Sequence, residues 1–457
     1  MSARTATTSR ALPRPQKSRL LGNDVWAVAA AIVVVTTGIW VRVGGFSQLI
    51  AGGNDTLLGL GRLAGMYAAL AALGGLLLAA RPRSIERKFG LDKMLGWHRV
   101  VGITTVFLVI FHALIDTIAW GIGAHMNPIA ALIDLIRTQQ WMIAALAALI
   151  LFLAIGLSSW RRIRRRIAYE TWYFVHLTAY LAVILAFGHQ ITLGTDVSGR
   201  TLALIWWIGL TVATFVWVLM ARSGDFIRSL TRSRTMITRI RQEAPGVGSV
   251  EIGGPGLRHL RASAGQFFII RVARRGLWWQ PHPFSLSAAP TRDALRFTIK
   301  DLGDGSSDIL RTAKGTRVLL EGPYGRFTVD EAEGARVVLF GGGVGIVPIR
   351  ALLEDIEPHQ QPVVVLRCKA QDELMHLAEI ETLVASRKGT LHVLAGPREW
   401  FSAGDPFRPD VLSKAVPDIR ERHSFVCGPA SFEYAIEKSL RALKVPSKQV
   451  HRERFGV

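Results

Sequence analysis

His98 and His112 stand fourteen residues apart in one apolar segment, and His176 and His189 stand thirteen apart in another. Ionisable side chains inside an apolar span are costly, and those that occur there usually carry function. Neutral imidazole is an axial ligand of haem iron, so two histidine pairs on two helices predict two stacked haem centres. At roughly 1.5 Å per residue the pairs lie about 20 Å apart along their helices, most of a hydrocarbon core roughly 30 Å thick. Fourteen residues return to within about 40° of the starting face, whereas thirteen miss it by about 140° on an ideal helix. The second helix must therefore bend, bulge or present its histidines to differently rotated cofactors. The alternative is four unrelated core histidines, against which stand the matching depths of the pairs and the lack of histidine in every other predicted span.

The elements that hold these residues follow from composition. Half of the 457 residues are hydrophobic, mean hydropathy is +0.29, and apolar stretches crowd the first half. Six spans are predicted at residues 24–42, 57–80, 97–119, 140–159, 171–190 and 201–221, each near the length a membrane helix needs. Cys368 and Cys427 are the two cysteines; they cannot supply a four-thiolate cluster or a CxxCH attachment site, so any haem is held non-covalently.

The net charge of +21 is a matter of topology rather than of nucleic acid. Arg4, Arg10, Arg14, Lys17 and Arg19 precede the first span, Arg81, Arg83, Arg87, Lys88 and Lys93 follow the second, and Arg161, Arg162, Arg164, Arg165 and Arg166 follow the fourth. The alternate loops carry little beyond Arg42, Arg137 and Arg200. The positive-inside rule then predicts a multi-pass protein of the cell membrane with both termini and the C-terminal half in the cytoplasm. Residues 1–23, rich in Arg, Ser and Thr, read as a disordered basic cytoplasmic tail rather than a cleaved leader.

Six spans, a His-x13-His on the third, a His-x12-His on the fifth and a soluble C-terminal half together resemble the ferric reductase and NADPH oxidase superfamily, from about residue 24 onward. The resemblance implies two b-type haems, the inner held by His98 and His176 and the outer by His112 and His189. It also implies that electrons move outward one at a time. Each is favoured by about 2.3 kcal/mol per 100 mV where the membrane is negative inside.

In the soluble half, runs such as QFFIIRV, LRFTIK and RVLLEG alternate with Gly, Pro and Asp turns over residues 231–334, which predicts an antiparallel β-barrel. Within it, His282, Pro283, Phe284 and Ser285 offer an aromatic ring and a hydroxyl to a flavin, and the family uses such an HPF[ST] segment for FAD. Gly303, Gly305 and Ser306 open a helix whose amides suit the FAD pyrophosphate. Glu321-Gly322-Pro323-Tyr324-Gly325 resembles the family's turn ahead of the nucleotide domain and reads as structural.

Residues 335–457 predict an α/β parallel-sheet domain. The strand 336–340 leads into Gly341, Gly342, Gly343, Gly345 and Pro348 and then a helix, the order that makes a glycine run a dinucleotide phosphate site. At the end of the next strand Arg367 and Lys369 replace the acid that would read a ribose 2′-hydroxyl. With Arg398 they favour the 2′-phosphate of NADPH, NADH being the alternative. The resemblance further places Cys427, Gly428 and Pro429 beside the nicotinamide and Phe455 over the flavin, although Gly456 and Val457 follow that aromatic here.

On the outer side Arg62 is expected to pair with a haem propionate. Asp116 stands where superoxide-forming relatives carry a histidine, so a ferric complex and O2 both remain as small external acceptors. The predicted function is a transmembrane oxidoreductase passing electrons from NADPH through FAD and the haems to that acceptor. The alternatives are an electron-supply module for an extracytoplasmic partner reductase and a non-enzymatic haem-binding or transport bundle, the latter opposed by the flavin and nucleotide motifs.

Overall fold

Long runs of Ala, Leu, Val and Ile without proline build the first half as helices. The computed structural model describes residues 11–15, 22–231, 234–274, 277–301, 303–370, 374–397 and 406–454. The helices are α1 (Gly22–Arg42), α2 (Gly45–Ala51), α3 (Gly53–Ala79), α4 (Arg83–Phe89), α5 (Leu91–Gly123), α6 (Pro128–Thr138), α7 (Met142–Ser159), α8 (Arg161–Arg164), α9 (Tyr169–Thr192) and α10 (Thr201–Thr231). Six of them, α1, α3, α5, α7, α9 and α10, are long and apolar enough to cross a membrane. All six predicted spans are therefore present, with bounds shifted by a few residues and the third and sixth longer. The 33 residues of α5 reach about 50 Å and take in Lys93, which the sequence pattern placed in a loop.

This unit, Ser18–Ser223, turns apolar side chains outward. On α5, Val100, Ile103, Phe107 and Leu114 are 58–65% exposed and share one face at helical spacing, as a lipid-facing stripe requires. Inside, Leu73, Leu76, Phe152, Val183 and Val218 form one apolar cluster, and Trp40, Met66, Val197 and Trp207 another. Asn127 caps α6 by accepting from the Ala130 amide at 2.9 Å, with Pro128 in the first turn.

The second unit joins Met1–Lys17 to Gly224–Val457. Strands β1 (Thr235–Ala244), β2 (Val247–Gly253), β3 (Phe267–Val272), β4 (His282–Ser285), β5 (Ala294–Lys300) and, after helix α11 (Asp304–Leu310), β6 (Arg317–Tyr324) form an antiparallel sheet in the order β4-β3-β6-β1-β2-β5. An antiparallel bridge from Leu286 to Phe297 links its two ends, closing the expected barrel around Ile237, Val250, Phe268, Ile270 and Phe297.

Residues 11–15 depart from the expectation of a disordered tail over 1–23. Ala11 bridges Thr291, the Leu12 amide donates to the Pro290 carbonyl at 3.1 Å, and Arg14 pairs with Asp330. The reason is apolar: Leu12, 6% exposed, completes the barrel core.

Strands β7 (Val337–Gly342), β8 (Val363–Cys368), β9 (Thr390–Ala395), β10 (His423–Gly428) and β11 (Val450–Arg454) form a parallel sheet in the order β11-β10-β7-β8-β9. Helices α12 (Ile346–Asp355), α13 (Leu377–Ser386), α14 (Pro409–Ala415) and α15 (Ala430–Ala442) connect them. The chain winds to one side of β7 and then returns to the other, so the topological switch point lies between β7 and β10. Ligands of open α/β sheets bind at that point, beyond the carboxyl ends of the strands.

Candidate functional site

The four histidines meet as two pairs. His98 faces His176 with ring centroids 5.8 Å apart, and His112 faces His189 at 6.2 Å. Two imidazoles binding one metal ion at roughly 2 Å each have ring centres about 6 Å apart, so each pair leaves space for one iron. Among the described residues no group of three or more His, Cys, Asp or Glu gathers to hold a bare ion. Two facing imidazoles instead fit a macrocyclic iron, whose remaining ligands are its own.

Helix α5 aims its histidines through α3. His98 Nδ1 donates to the Gly75 carbonyl at 3.0 Å, and His112 Nδ1 donates to the Gly61 carbonyl at 3.0 Å. The antiparallel partner thus repeats the fourteen-residue spacing, which leaves each Nε2 available as the ligand atom. Such a bond to the distal ring nitrogen fixes tautomer and orientation in metal-binding histidines. Close approach requires glycine on α3. A Cβ on Gly65 would stand 2.8 Å from His112 Nδ1, and one on Gly61 would stand 1.7 Å from Asp116 Oδ1. These glycines carried no signal in the sequence, because their partners are set by the packing register of α3 on α5.

On α9 the thirteen-residue spacing is met without interruption of the helix. The phase difference shows instead in the rings, whose planes meet at 67° in one pair and 24° in the other. The Nδ1 atoms of His176 and His189 are buried without a hydrogen-bond partner. Trp172, one turn before His176, stacks on its ring at 5.0 Å and carries the Arg164 guanidinium 4.7 Å from its own centroid.

A cavity of about 450 Å³ adjoins the second pair, lined by His112, His189, Arg62, Asp116, Gln190 and Asp196 among others. Arg62, expected from sequence to meet a haem propionate, also has protein partners. Its Nε donates to Asp196 Oδ2 at 3.0 Å, its Nη2 meets the other Asp196 oxygen, and its Nη1 meets Gln48. A guanidinium 14% exposed within an apolar bundle needs an anion, and Asp196, 5% exposed, supplies it. The two residues lie 134 positions apart, out of reach of any local pattern.

In the barrel, His282–Ser285 forms the edge strand β4 against β3. Its link to the glycine turn is direct, since a Cβ on Gly305 would stand 2.6 Å from His282 Cε1. His282 Nε2 and Ser285 Oγ are buried without a hydrogen-bond partner, as atoms reserved for a ligand would be. Burial and the charge of Arg271 push the His282 imidazole below its usual pKa. Phe284 lies parallel to the His282 ring at 6.3 Å, and the Ser306 hydroxyl donates to the Gly303 carbonyl at 2.9 Å. The segment expected as a turn at Glu321–Gly325 is instead mostly strand, ending β6 at Tyr324 because its backbone pairs with β3; Glu321 accepts from Arg271 at 2.8 Å and from the Tyr324 hydroxyl at 2.7 Å. Phe455 lies outside the described residues, and Arg454 before it pairs with Gly428.

At the switch point β7 and β10 bring Gly341 opposite Cys427. A Cβ on Gly345 would stand 2.1 Å from the Cys427 carbonyl oxygen, and one on Gly428 would stand 2.7 Å from the Phe432 ring. The two motifs, more than 80 residues apart in the sequence, thus pack backbone against backbone at the carboxyl ends of the strands. The Cys427 thiol donates to the Glu453 carbonyl at 3.3 Å within the apolar core. Pro348 is buried in α12. Arg367 donates to the Leu394 carbonyl at 3.1 Å, Lys369 is exposed beyond β8, and Arg398 lies outside the described residues.

An ion network not foreseen from sequence ties the barrel to the nucleotide domain. Ser287 O accepts from Arg296 at 2.9 Å and Arg350 at 3.0 Å, while Glu379 accepts from Arg296 at 2.9 Å and pairs with Arg350 at 2.6 Å. Burial alone would raise the Glu379 carboxyl, but hydrogen bonds from Arg296 and the charge of Arg350 outweigh it and hold the pKa at about 2.

Residues 64–187 match the family model of the ferric reductase like transmembrane component, a stretch that includes His98, His112 and His176 and stops just short of His189. Residues 249–328 match an FAD-binding domain, including His282–Ser285 and Gly303–Ser306. The ferredoxin reductase component of a 3-ketosteroid-9-alpha-monooxygenase from Mycobacterium tuberculosis is 32% identical over 207 residues, covering 43% of this chain and 56% of that one. A flavohemoprotein from Deinococcus radiodurans is 30% identical over 208 residues, covering 42% and 51%. The chain thus spans about half the length of these curated relatives. The FAD/NAD-binding domain of a nitric oxide dioxygenase from Vibrio cholerae aligns with 49% of this chain and 99% of that one, at 24% identity and a TM-score of 0.40. The chain joins a ferric-reductase-like transmembrane component to an FAD-binding reductase domain, the architecture of the ferric reductase and NADPH oxidase superfamily.

Proposed function

We propose that this chain is a transmembrane oxidoreductase that uses cytoplasmic NADPH, with FAD and two b-type haems, to reduce a ferric complex or O2 on the outer side. The observation that carries the reading is the pair of facing imidazole couples, 5.8 Å and 6.2 Å across, fused to a flavin and nucleotide fold. His98 and His176 would hold the inner haem, and His112 and His189 the outer. When bound, FAD would supply exchange between a hydride and two single electrons, with the proton released, and haem would supply one-electron transfer.

The protein's part is placement. Gly61 and Gly75 carbonyls orient the α5 imidazoles, and the Trp172 ring covers His176. His282 and Ser285 present polar atoms to the flavin from β4. The glycines at the ends of β7 and β10 let a dinucleotide approach the backbone, and the Arg296, Arg350 and Glu379 network holds the two cofactor domains in one relation. Arg367 and Lys369 at the end of β8 supply the positive charge that favours NADPH over NADH. The basic loops support cytoplasmic termini.

Reconstitution of the full chain into sealed vesicles tests the direction. With NADPH outside and vesicles whose soluble half faces outward, a trapped Fe(III) chelate is expected to be reduced, or trapped cytochrome c to be reduced in a superoxide-dismutase-sensitive way. Reduction confined to the NADPH side would contradict the proposal.

A further inference from the structure

The distal nitrogens of the four ladder histidines are not alike. His98 Nδ1 meets one carbonyl, and His176 and His189 Nδ1 meet no hydrogen-bond partner. His112 Nδ1 meets the Gly61 carbonyl at 3.0 Å and also lies 2.8 Å from Asp116 Oδ2, one helical turn further along α5. The second Asp116 oxygen is buried without a hydrogen-bond partner. It occupies the place a side chain on Gly61 would take, 1.7 Å from where a Cβ would stand. Arg62, which lines the same cavity, is committed to Asp196 and Gln48, so its charge is matched elsewhere. The Asp116 carboxylate is thus directed at one imidazole.

A carboxylate beside the distal N–H of a ligating histidine draws on that proton, which raises the basicity of the other ring nitrogen. A more basic ligand, with a negative charge close behind it, favours the more positive oxidation state of the metal. We propose that Asp116 is a positioning residue that strengthens His112 as a donor and lowers the reduction potential of the outer centre. The inner centre, whose histidines have only the Gly75 carbonyl among their distal partners, lacks this device. The asymmetry makes the outer centre a stronger reductant toward its acceptor than its bis-imidazole ligation alone would. The inference rests on the reading of His112 and His189 as the axial pair of one haem.

The test is a spectroelectrochemical titration of the purified full chain, with haem content measured in the same preparation. Asp116→Asn removes the charge at nearly constant volume, and Asp116→Ser removes the carboxylate with a smaller side chain. In each variant the equilibrium constant for reducing one haem is expected to rise about tenfold, which is 59 mV for a one-electron couple, while the other midpoint stays put. Asp116→Glu is expected to return the midpoint toward that of the unsubstituted chain. Two haems with unmoved midpoints in both variants would overturn the inference and leave the ladder intact. Loss of one haem from both would overturn it as well, since Asp116 would then hold the site rather than tune it. An unsubstituted chain without two b-type haems would overturn the reading beneath it.

Discussion

Gly65→Ala is expected to disturb the outer histidine pair while Gly75→Ala, on the same helix, leaves the inner pair intact. The new methyl at position 65 would sit 2.8 Å from His112 Nδ1 and 2.9 Å from Cε1, against an ordinary contact limit of 3.4 Å. The ring must therefore retreat by about 0.6 Å, and its hydrogen bond to the Gly61 carbonyl, 3.0 Å long, restrains it. At position 75 the nearest atoms would be Val101 Cγ1 at 3.8 Å and His98 Nδ1 at 4.0 Å, which is ordinary packing. Overfilling a packed site costs about 1–3 kcal/mol, a roughly 5- to 150-fold weaker hold on the group bound there. The assay is haem transfer to excess apomyoglobin, with haem and flavin counted before and after. Gly65→Ala is expected to surrender one haem faster than the unsubstituted chain, and Gly75→Ala to surrender none faster. Equal loss from both variants, or unchanged retention by Gly65→Ala, would refute the argument that α3 glycines shape the outer site alone.

His112→Ala is expected to stop reduction of external acceptors while flavin reduction by NADPH continues, measured by stopped-flow absorbance; equal loss of both would point to misfolding. Lys369→Ala is expected to raise the KM for NADPH several-fold with little change for NADH, because only the former carries a 2′-phosphate, and parallel steady-state assays check this. Two pH effects follow from half-buried groups of the C-terminal unit. Glu379, held at about 2 against an ordinary value of 4.5, binds its proton more readily when unfolded, so its stabilisation is complete above pH 4.5 and is lost as pH falls toward 2. Glu379→Gln should therefore weaken the unit at neutral pH and converge with the unsubstituted chain in acid, read by flavin release on heating. His451 is pushed down to about 4 by burial and by its neighbour His423; its contribution is present above pH 6.5 and lost as pH falls toward 4, so His451→Asn should flatten the stability profile over that window.

Much of the site was legible because its chemistry is written in local patterns. The histidine spacing marks two levels on α5 and α9, and the order of strand, glycines and helix marks the glycine turn at the end of β7. What escaped depends on contacts between distant segments. Gly61 and Gly75 read as ordinary small residues of a span, and only the register of α3 against α5 makes their carbonyls the partners of His112 and His98. The pairing of Arg62 with Asp196 escaped because Asp196 sits in a loop far along the chain. Leu12 lay in a stretch read as a disordered polar tail, and its burial in the barrel could not be inferred without the gap it fills. The relation of Asp116 to His112, by contrast, is a single helical turn and was open to inspection in the sequence.

The proposed function requires one chain to carry electrons from a nicotinamide nucleotide to two haems held by these four histidines. Anaerobic addition of NADPH to the purified full chain, followed by absorbance spectroscopy, tests it most directly. The account expects two b-type haems for each flavin, with the flavin and both haems becoming reduced without any added partner. Flavin reduction with haems that are absent, or that stay oxidised until a second protein is supplied, would contradict it.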